Sequence, residues 1–332
     1  MLAGPVMVIP YRQQSVETVT ENGKATTRAV TIERELFLAP VTNTASVDVE
    51  PERRTKSIYE TVVYEARVKG TARFALPEDL ARFGVRPEEL LLDRAEIRVG
   101  ISDARGLLAD NSLAMAGRPL PLRPGKGLGS TNGSGFFAFA DWSESAGAPV
   151  DVAYRFGVRG NGQLMLIPDG EATDWTVRSH WPHPSFAGQF LPNTRDVTEK
   201  GFTARYKISN LALGRAIVQL PQPGEQVSAG AQMAQIDLIE PVNLYSQVDR
   251  AVKYGFLFIG FTFLAFLMFD IIAGARVAAA EYLLTGAGLI LFFVLLLAFA
   301  EIIGFTLAYL LAAGAIIGLI SAYSAAVLGS TK

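Results

Sequence analysis

The stretch AFAEIIGF, residues 298–305, places a single carboxylate, Glu301, in the most apolar part of the chain. The surrounding run from 282 to 328 is about 47 residues long, and as one helix it would measure roughly 70 Å. That length is more than twice the hydrocarbon thickness of a bilayer, so the run must fold back on itself. The only candidate turn lies around Glu301 and Gly304.

Glu301 has two interpretations, because a lone charge inside hydrocarbon is costly. If the chain turns at 300–304, Glu301 lies near the interface at the N-terminus of the following helix, where the helix dipole favours an anion. Alternatively, it is buried in a helix bundle and acts as a proton or ion ligand. Asp270 lies near the end of the preceding apolar segment, and an interfacial position is favoured for it.

Charged residues almost disappear after about residue 254, which predicts an α-helical transmembrane bundle over 254–332. We expect three spans in the lipid bilayer, at about 254–272, 282–300 and 302–328. Residues 242–253 combine apolar positions at helical spacing with basic residues, which predicts a juxtamembrane amphipathic helix. The alternative is a soluble helix packed on the β domain.

Small residues recur at every fourth position along the last predicted span, namely Gly314, Gly318 and Ala322. Such a stripe lets helix backbones approach closely in lipid. It predicts helix packing, either within the chain or between copies of the chain in a homo-oligomer.

Residues 1–241 predict a mainly β domain, because apolar and polar residues alternate with the period of strands that bury one face. The alternation runs through 62–68, 95–101, 152–158 and 202–208. Stretches 63–77 and 152–168 resemble each other, and each reads as a hairpin with a glycine turn and a final proline. We therefore expect a β-sandwich-like domain that is duplicated or built in two parts. Residues 77–84 are the best candidate for a soluble helix.

Both histidines lie in SHWPHPSFAGQFLP, residues 179–192. His180 and His183 could ligate a metal, but the prolines make the segment non-helical, so the spacing does not place both rings on one face. A rigid, aromatic-rich corner that includes Trp181 is favoured instead. The glycine-rich segment 124–135 lacks the glycine patterns that bind phosphates, and we expect a flexible loop.

The composition argues against several classes of function. The net charge of −2 gives no indication of a nucleic-acid partner. The chain contains no cysteine, which excludes a disulfide framework and a thiolate metal site. No nucleophile and base can be paired from the sequence, so we expect no catalytic residues and no cofactor.

Six stretches, in the same order along nearly the whole chain, resemble a known family. They are GPVMVIPY (4–11), IYETVVYEARVKGTARF (58–74), IRVGISDARGL (97–107), HWPHPSFAGQFLP (180–192), PVNLYSQVDRAVKYGFLFIGFTFLAFLMFD (241–270) and AEIIGF (300–305). These stretches are similar to the CreD family of bacterial inner-membrane proteins, which are described as cell-envelope integrity or colicin-tolerance proteins.

The resemblance implies a multi-pass protein of the bacterial inner membrane, with its β domain in the periplasm and a link to an envelope-stress response. It implies a carboxylate at the position of Glu301, which favours a functional role there. It also implies an N-terminal anchor and more C-terminal helices than this chain holds, so we expect the chain to be truncated at both ends.

Two functions from different classes follow. The leading hypothesis is a non-enzymatic inner-membrane protein that contributes to envelope integrity, with the β domain as a binding or scaffolding module for an envelope protein, peptidoglycan or lipid. The alternative is a transporter or lipid-handling protein that uses intramembrane carboxylates. The candidate functional residues are Glu301, Asp270, His183 and Trp181.

Overall fold

The structure is a computed structural model that describes residues 1–21, 24–56, 59–145, 147–221, 232–239, 244–273 and 279–329. The chain divides into two compact units. The β unit comprises Met1–Glu52 and Val62–Ile239, and the helical unit comprises Arg53–Thr61 and Glu240–Lys332. A mainly β domain followed by helices was predicted from the sequence, and this prediction is confirmed.

The described strands form two sheets. In chain order they are β1 Leu2–Glu21, β2 Lys24–Leu38, β3 Thr42–Lys56, β4 Tyr59–Phe74, β5 Glu96–Ile101, β6 Ser112–Met115, β7 Arg118–Leu120, β8 Arg123–Pro124, β9 Gly135–Phe139, β10 Val150–Asn161, β11 Gln163–Ile167, β12 Ala172–Ser179, β13 Pro184–Gly188, β14 Thr194–Thr198, β15 Gly201–Ser209, β16 Val218–Gln219 and β17 Ala234–Leu238. The first sheet has the order β13-β17-β11-β1-β5-β9-β8, with β2 paired to β1 and to β16. The second sheet has the order β14-β15-β12-β3-β4-β10-β6-β7.

The two sheets share one hydrophobic core. Met7 and Ile97 of the first sheet belong to the same buried cluster as Val47, Ala66 and Phe156 of the second. Alternation within strands supplies this core, because residues of one parity along β4, β10 and β15 are buried and those of the other parity are mostly exposed. The predicted one-sided burial of these three strands is therefore confirmed.

The strand β5 differs from this prediction. Burial of one face was expected for 95–101, but every residue of β5 is buried. The reason is its position between β1 and β9, beneath a segment that lies elsewhere in the sequence. Its second face carries Glu96 and Arg98.

The two stretches predicted as similar hairpins fold differently, and that prediction is wrong. Residues 63–74 belong to the single strand β4, which runs straight through Gly70. A Cβ at Gly70 would lie 2.5 Å from the ring of Tyr154, so close packing requires the glycine there rather than a turn. In the second stretch the chain does turn, at Gly162 with φ +65°, but β10 and β11 belong to different sheets.

The helices of the β unit are short. The predicted helix at 77–84 is one 3₁₀ turn, Leu80–Phe83, which ends at Gly84 in the left-handed conformation. Besides further short 3₁₀ turns, the described part of this unit holds the four-residue helix α1, Asn210–Leu213.

The described residues of the helical unit form three long helices: α2 Leu244–Ala273, α3 Ala279–Ile303 and α4 Phe305–Gly329. The expected juxtamembrane helix at 242–253, of which 242 and 243 lie outside the described residues, and the first span form the single continuous helix α2. Only Gly304, with φ +79°, separates α3 from α4, which places the reversal inside the expected turn at 300–304. Helices α3 and α4 are antiparallel, because Phe292 packs edge-on against Tyr309 and Gly288 lies close to Ile316 and Ile320.

Two helical stretches of the described residues are long and apolar enough to cross a membrane, namely Tyr282–Ile303 and Phe305–Ala322. Their mean hydropathies are 2.6 and 2.0, and only 22% and 17% of their residues are buried. A core helix of a soluble protein would be mostly buried, so these helices present apolar surface outward.

Candidate functional site

The aromatic-rich corner predicted at 179–192 is built around Trp181. The Trp181 side chain is buried, its indole N–H donates a hydrogen bond of 3.1 Å to the carbonyl of Ile239, and its backbone N–H donates to Ser179. Phe186 packs edge-on against Phe202, with ring centroids 5.6 Å apart. Trp181 therefore joins the end of β12 to the end of β17.

The two histidines of this corner do not assemble a metal site. His180 and His183 are both exposed. Within the described ranges, no three histidine, aspartate or glutamate side chains are grouped closely enough to hold a metal ion.

The structure corrects the predicted position of Glu301. It lies in the last turn of α3, three residues before Gly304, and not at the N-terminus of α4. The helix dipole presents negative charge at that end, so dipole stabilisation of the carboxylate does not explain its presence.

Glu301 and Asp270 lie at opposite ends of the helical unit. Phe263 stacks on Tyr282, while Val248 of α2 shares a cluster with Ala300, so α2 and α3 are antiparallel. Asp270 is near the C-terminus of α2 and Glu301 is near the C-terminus of α3. The side chain of Asp270 is outside the described residues.

The predicted stripe of small residues does not pack the helices of this chain together. The buried face of α4 is instead formed by Ala308, Ala312 and Ile316. Among the described residues, a Cβ at Gly314 or Gly318 would meet nothing within 4 Å, and Ala322 is exposed. The prediction that this stripe packs helices within the chain is therefore wrong. Its packing between copies of the chain stays a prediction.

The sequence did not reveal the most unusual feature of the β unit, which is a cluster of charges on the face of the first sheet opposite the shared core. We call Glu35, Glu96, Arg98 and Lys126 the charge cluster. Arg98 donates to Glu96 at 3.0 Å and to Glu35 at 3.1 Å, and Lys126 reaches Glu96 at 2.6 Å. The side chains of Glu96 and Arg98 are only 7% and 8% exposed.

Aromatic rings complete the surroundings of these cations. The Arg98 guanidinium lies 5.6 Å from the centre of the Phe37 ring, and the Lys126 amine lies 5.1 Å from that of Phe137. Two cations therefore meet two carboxylates and two ring faces, which compensates the loss of water around the charges.

The segment 124–135 helps to cover this face of the sheet, so the expected flexible loop is wrong. Leu128 is buried in a second hydrophobic cluster with Val6 and Ile167. The segment folds back tightly, because a Cβ at Gly127 would lie 1.9 Å from the carbonyl oxygen of Ser134. Lys126, from the same segment, provides the ion pair to Glu96.

A small cleft beside this cover holds a loosely paired carboxylate. Asp169 and Arg215 are 3.6 Å apart, and their side chains are 13% and 19% exposed. Asp169 Oδ2 and Arg215 Nη2 have no hydrogen-bond partner among the described residues. The cleft measures about 30 Å³, which is room for about one water molecule and not for a larger ligand.

Burial raises the pKa of the Asp169 carboxyl to about 7, although the positive charge of Arg215 acts in the opposite direction. This face of the first sheet therefore carries the fixed charges of the charge cluster and, at Asp169, a carboxyl whose pKa lies near neutral pH.

Comparison with known proteins gives one family. The family model described as "Inner membrane protein CreD" matches residues 1–332. The chain belongs to the CreD family. Inner membrane protein CreD of Escherichia coli strain K12 is 31% identical over 321 residues, which cover 94% of this chain and 67% of that relative. Membership of an inner-membrane family agrees with the outward apolar surface of α3 and α4.

The first prediction for this CreD-family protein concerns the charge cluster. Arg98→Met should lower the free energy of unfolding by roughly 3–5 kcal/mol, because it leaves Glu96 buried with only Lys126 as partner. Arg94→Met is the matched control, since Arg94 pairs with Glu33 of β2 where both side chains are about half exposed. We expect it to cost at most about 1 kcal/mol. Denaturant titration of the detergent-solubilised protein measures both, and equal losses would contradict a special role for Arg98.

The second prediction concerns pH. The pKa of Asp169 is raised in the folded CreD-family protein from 3.8 to about 7, so folding favours the protonated carboxyl. The resulting stability is fully present below pH 3.8 and is lost as the pH rises through 7. Between pH 4 and 7 the wild type should lose roughly 2–4 kcal/mol relative to Asp169→Asn. Parallel stability profiles of the two proteins over this range would show that Asp169 is not the titrating group.

Proposed function

We propose that this protein is a non-enzymatic, multi-pass protein of the bacterial inner membrane that contributes to cell-envelope integrity. Its β unit lies in the periplasm and acts as a binding or scaffolding module for another envelope component. The helices anchor that module in the membrane. The observation that carries the proposal is the union, in one CreD-family chain, of a β unit with helices whose outward surface is apolar.

The surface of the helices supports the anchoring role. Phe256, Phe258 and Phe261 of α2 are each at least 67% exposed. Exposed aromatic and aliphatic side chains in such density are unfavourable in water and favourable in lipid. On this basis α2 is a third span besides the two stretches in α3 and α4.

The family supports the sidedness more strongly than local charge does. Arg250 and Lys253 precede the apolar part of α2 and Arg276 follows it, so the local count weakly favours a cytoplasmic β unit. Long domains, however, translocate largely regardless of such charges. We therefore place the β unit in the periplasm, as the resemblance to the family implies.

Transport through intramembrane carboxylates has less support. It requires Glu301 and Asp270 to act on a common path, but the two residues lie about a helix length apart in the helical unit. The position of each near a helix end fits the membrane interface better than a buried pathway.

The third prediction tests the role in the envelope. A strain that lacks this protein should differ from its parent in sensitivity to detergent, colicin or β-lactam, because an envelope component has lost its tethered partner. The intact protein should restore the parental sensitivities. A version reduced to residues 244–332, expressed to the same level in the membrane, should not.

Unchanged sensitivity of the deletion strain under all three stresses would contradict the proposed role. Restoration by the helices alone would show that the β unit is not the part that acts.

A further inference from the structure

The exposed face of the second sheet carries a cleft of about 570 Å³, which lies within the range of small-molecule sites. It extends over five neighbouring strands, β12, β3, β4, β10 and β6, and is therefore about 19 Å wide at the usual strand spacing. Besides the buried Tyr154, whose hydroxyl donates to Asn43, the described polar lining consists of three cations and five hydroxyl side chains: Lys69, Arg155, Arg178, Thr44, Ser46, Thr71, Ser112 and Thr176.

The strand register explains why this part of the sheet is concave. Ala114, Ala153 and Thr71 stand side by side across β6, β10 and β4, and their small side chains form a trough. The adjacent outward row holds Ser112, Arg155 and Lys69. Long basic side chains thus border a floor of short ones.

Two cations of this cleft lie close together although they repel each other. Lys69 lies directly opposite Arg155 in the register of β4 and β10, and like charges in directly opposed positions destabilise a sheet. In the part of the chain that the structure describes, no aspartate or glutamate lines the cleft. Among the described residues, neither Lys69 nor Arg155 has a carboxylate within the 4.0 Å of an ion pair, and Arg178 has only a loose contact of 3.8 Å with Asp48.

Outside the cleft, the cations on the same face of β4 and β10 form ion pairs with carboxylates. Arg67 of β4 lies 3.0 Å from Glu50 and 3.4 Å from Glu65, and Arg159 of β10 lies 2.9 Å from Glu65. Carboxylates therefore pair with Arg67, two residues from Lys69, and with Arg159, four residues from Arg155, whereas none among the described residues lines the cleft. The missing negative charge is what a ligand would provide.

We infer that this cleft binds a soluble sugar or polyol that carries a phosphate group. Three cations around one cleft match the nearly double negative charge of a phosphate ester, and arginine binds phosphate oxygens in pairs. The five hydroxyl side chains can both donate to and accept from the hydroxyl groups of a sugar. The described lining of the cleft includes no exposed large apolar side chain, which favours a soluble ligand over a lipid.

This inference rests on the proposed binding role of the β unit and names its ligand. The test uses purified protein, so the two proposals can fail separately. A deletion phenotype without ligand binding would overturn only the assignment of the cleft, whereas binding without any envelope phenotype would overturn only the proposed role.

The fourth prediction uses the full chain in phosphatidylcholine nanodiscs and isothermal titration calorimetry with glucose 6-phosphate. The double variant Lys69→Gln/Arg155→Gln should weaken binding by roughly tenfold or more, because it removes two charge-assisted contacts. The matched control is Arg67→Gln/Arg159→Gln, which changes the same two strands, the same face and the same net charge. We expect it to change affinity by less than about threefold.

Several controls decide between alternatives. Glucose and inorganic phosphate should each bind more weakly than glucose 6-phosphate, and raising the salt concentration should weaken wild-type binding. The cleft variant should melt no lower than the wild type, because the repulsion between Lys69 and Arg155 is removed.

The inference is overturned if glucose 6-phosphate does not bind, or if both double variants weaken binding equally. Inorganic phosphate binding as tightly as glucose 6-phosphate would remove the role of the sugar. Binding to phosphatidylglycerol vesicles without binding to glucose 6-phosphate would identify a lipid surface instead.

Discussion

The three long helices expose an apolar surface that is unfavourable in water and must be covered by something else. The rest of the organisation depends on that constraint. Helices α3 and α4 bury about a fifth of their span residues within the chain. In the proposed membrane location, lipid covers most of what remains. In that location each span would end at the interface, where the reversal at Gly304 would lie. Glu301 and Asp270 accordingly lie close to helix ends.

The β unit handles charge in two opposite ways on its two sheets. On the first sheet, Glu96 and Arg98 are covered and their charges are compensated by ion pairs. The pairs therefore stabilise one fixed local structure. On the second sheet, Lys69 and Arg155 face each other in an open cleft without compensation among the described residues. A buried, satisfied cluster stabilises, whereas an exposed, repelling pair favours an anionic ligand. The two arrangements distinguish a structural face on the first sheet from the proposed binding face on the second.

Local patterns predicted much of this fold, and contacts between distant residues determined the rest. Alternation along β10 and β15 and the turn at Gly304 depend on neighbours in sequence, so they could be predicted. Gly70 was misread as a turn, because the Tyr154 ring that requires a glycine there comes 84 positions later in the sequence. The burial of Glu96 and Arg98 could not be predicted either, since an alternating charged face normally indicates exposure and its cover comes from segment 124–135. The opposition of Lys69 and Arg155 appears only once the strand register is known.

Sidedness is the most direct test of the central claim that lipid-embedded helices hold the β unit outside the cytoplasm. The chain has no cysteine, so single cysteines report without background. One reporter is Glu199→Cys, at the exposed turn between β14 and β15. The other is Ala275→Cys, two positions after the last residue of α2 in the sequence. A maleimide that cannot cross the inner membrane, added to cells with a permeabilised outer membrane, should label Glu199→Cys at once and Ala275→Cys only after lysis. The reverse pattern, or equal labelling of both positions before lysis, would contradict the claim.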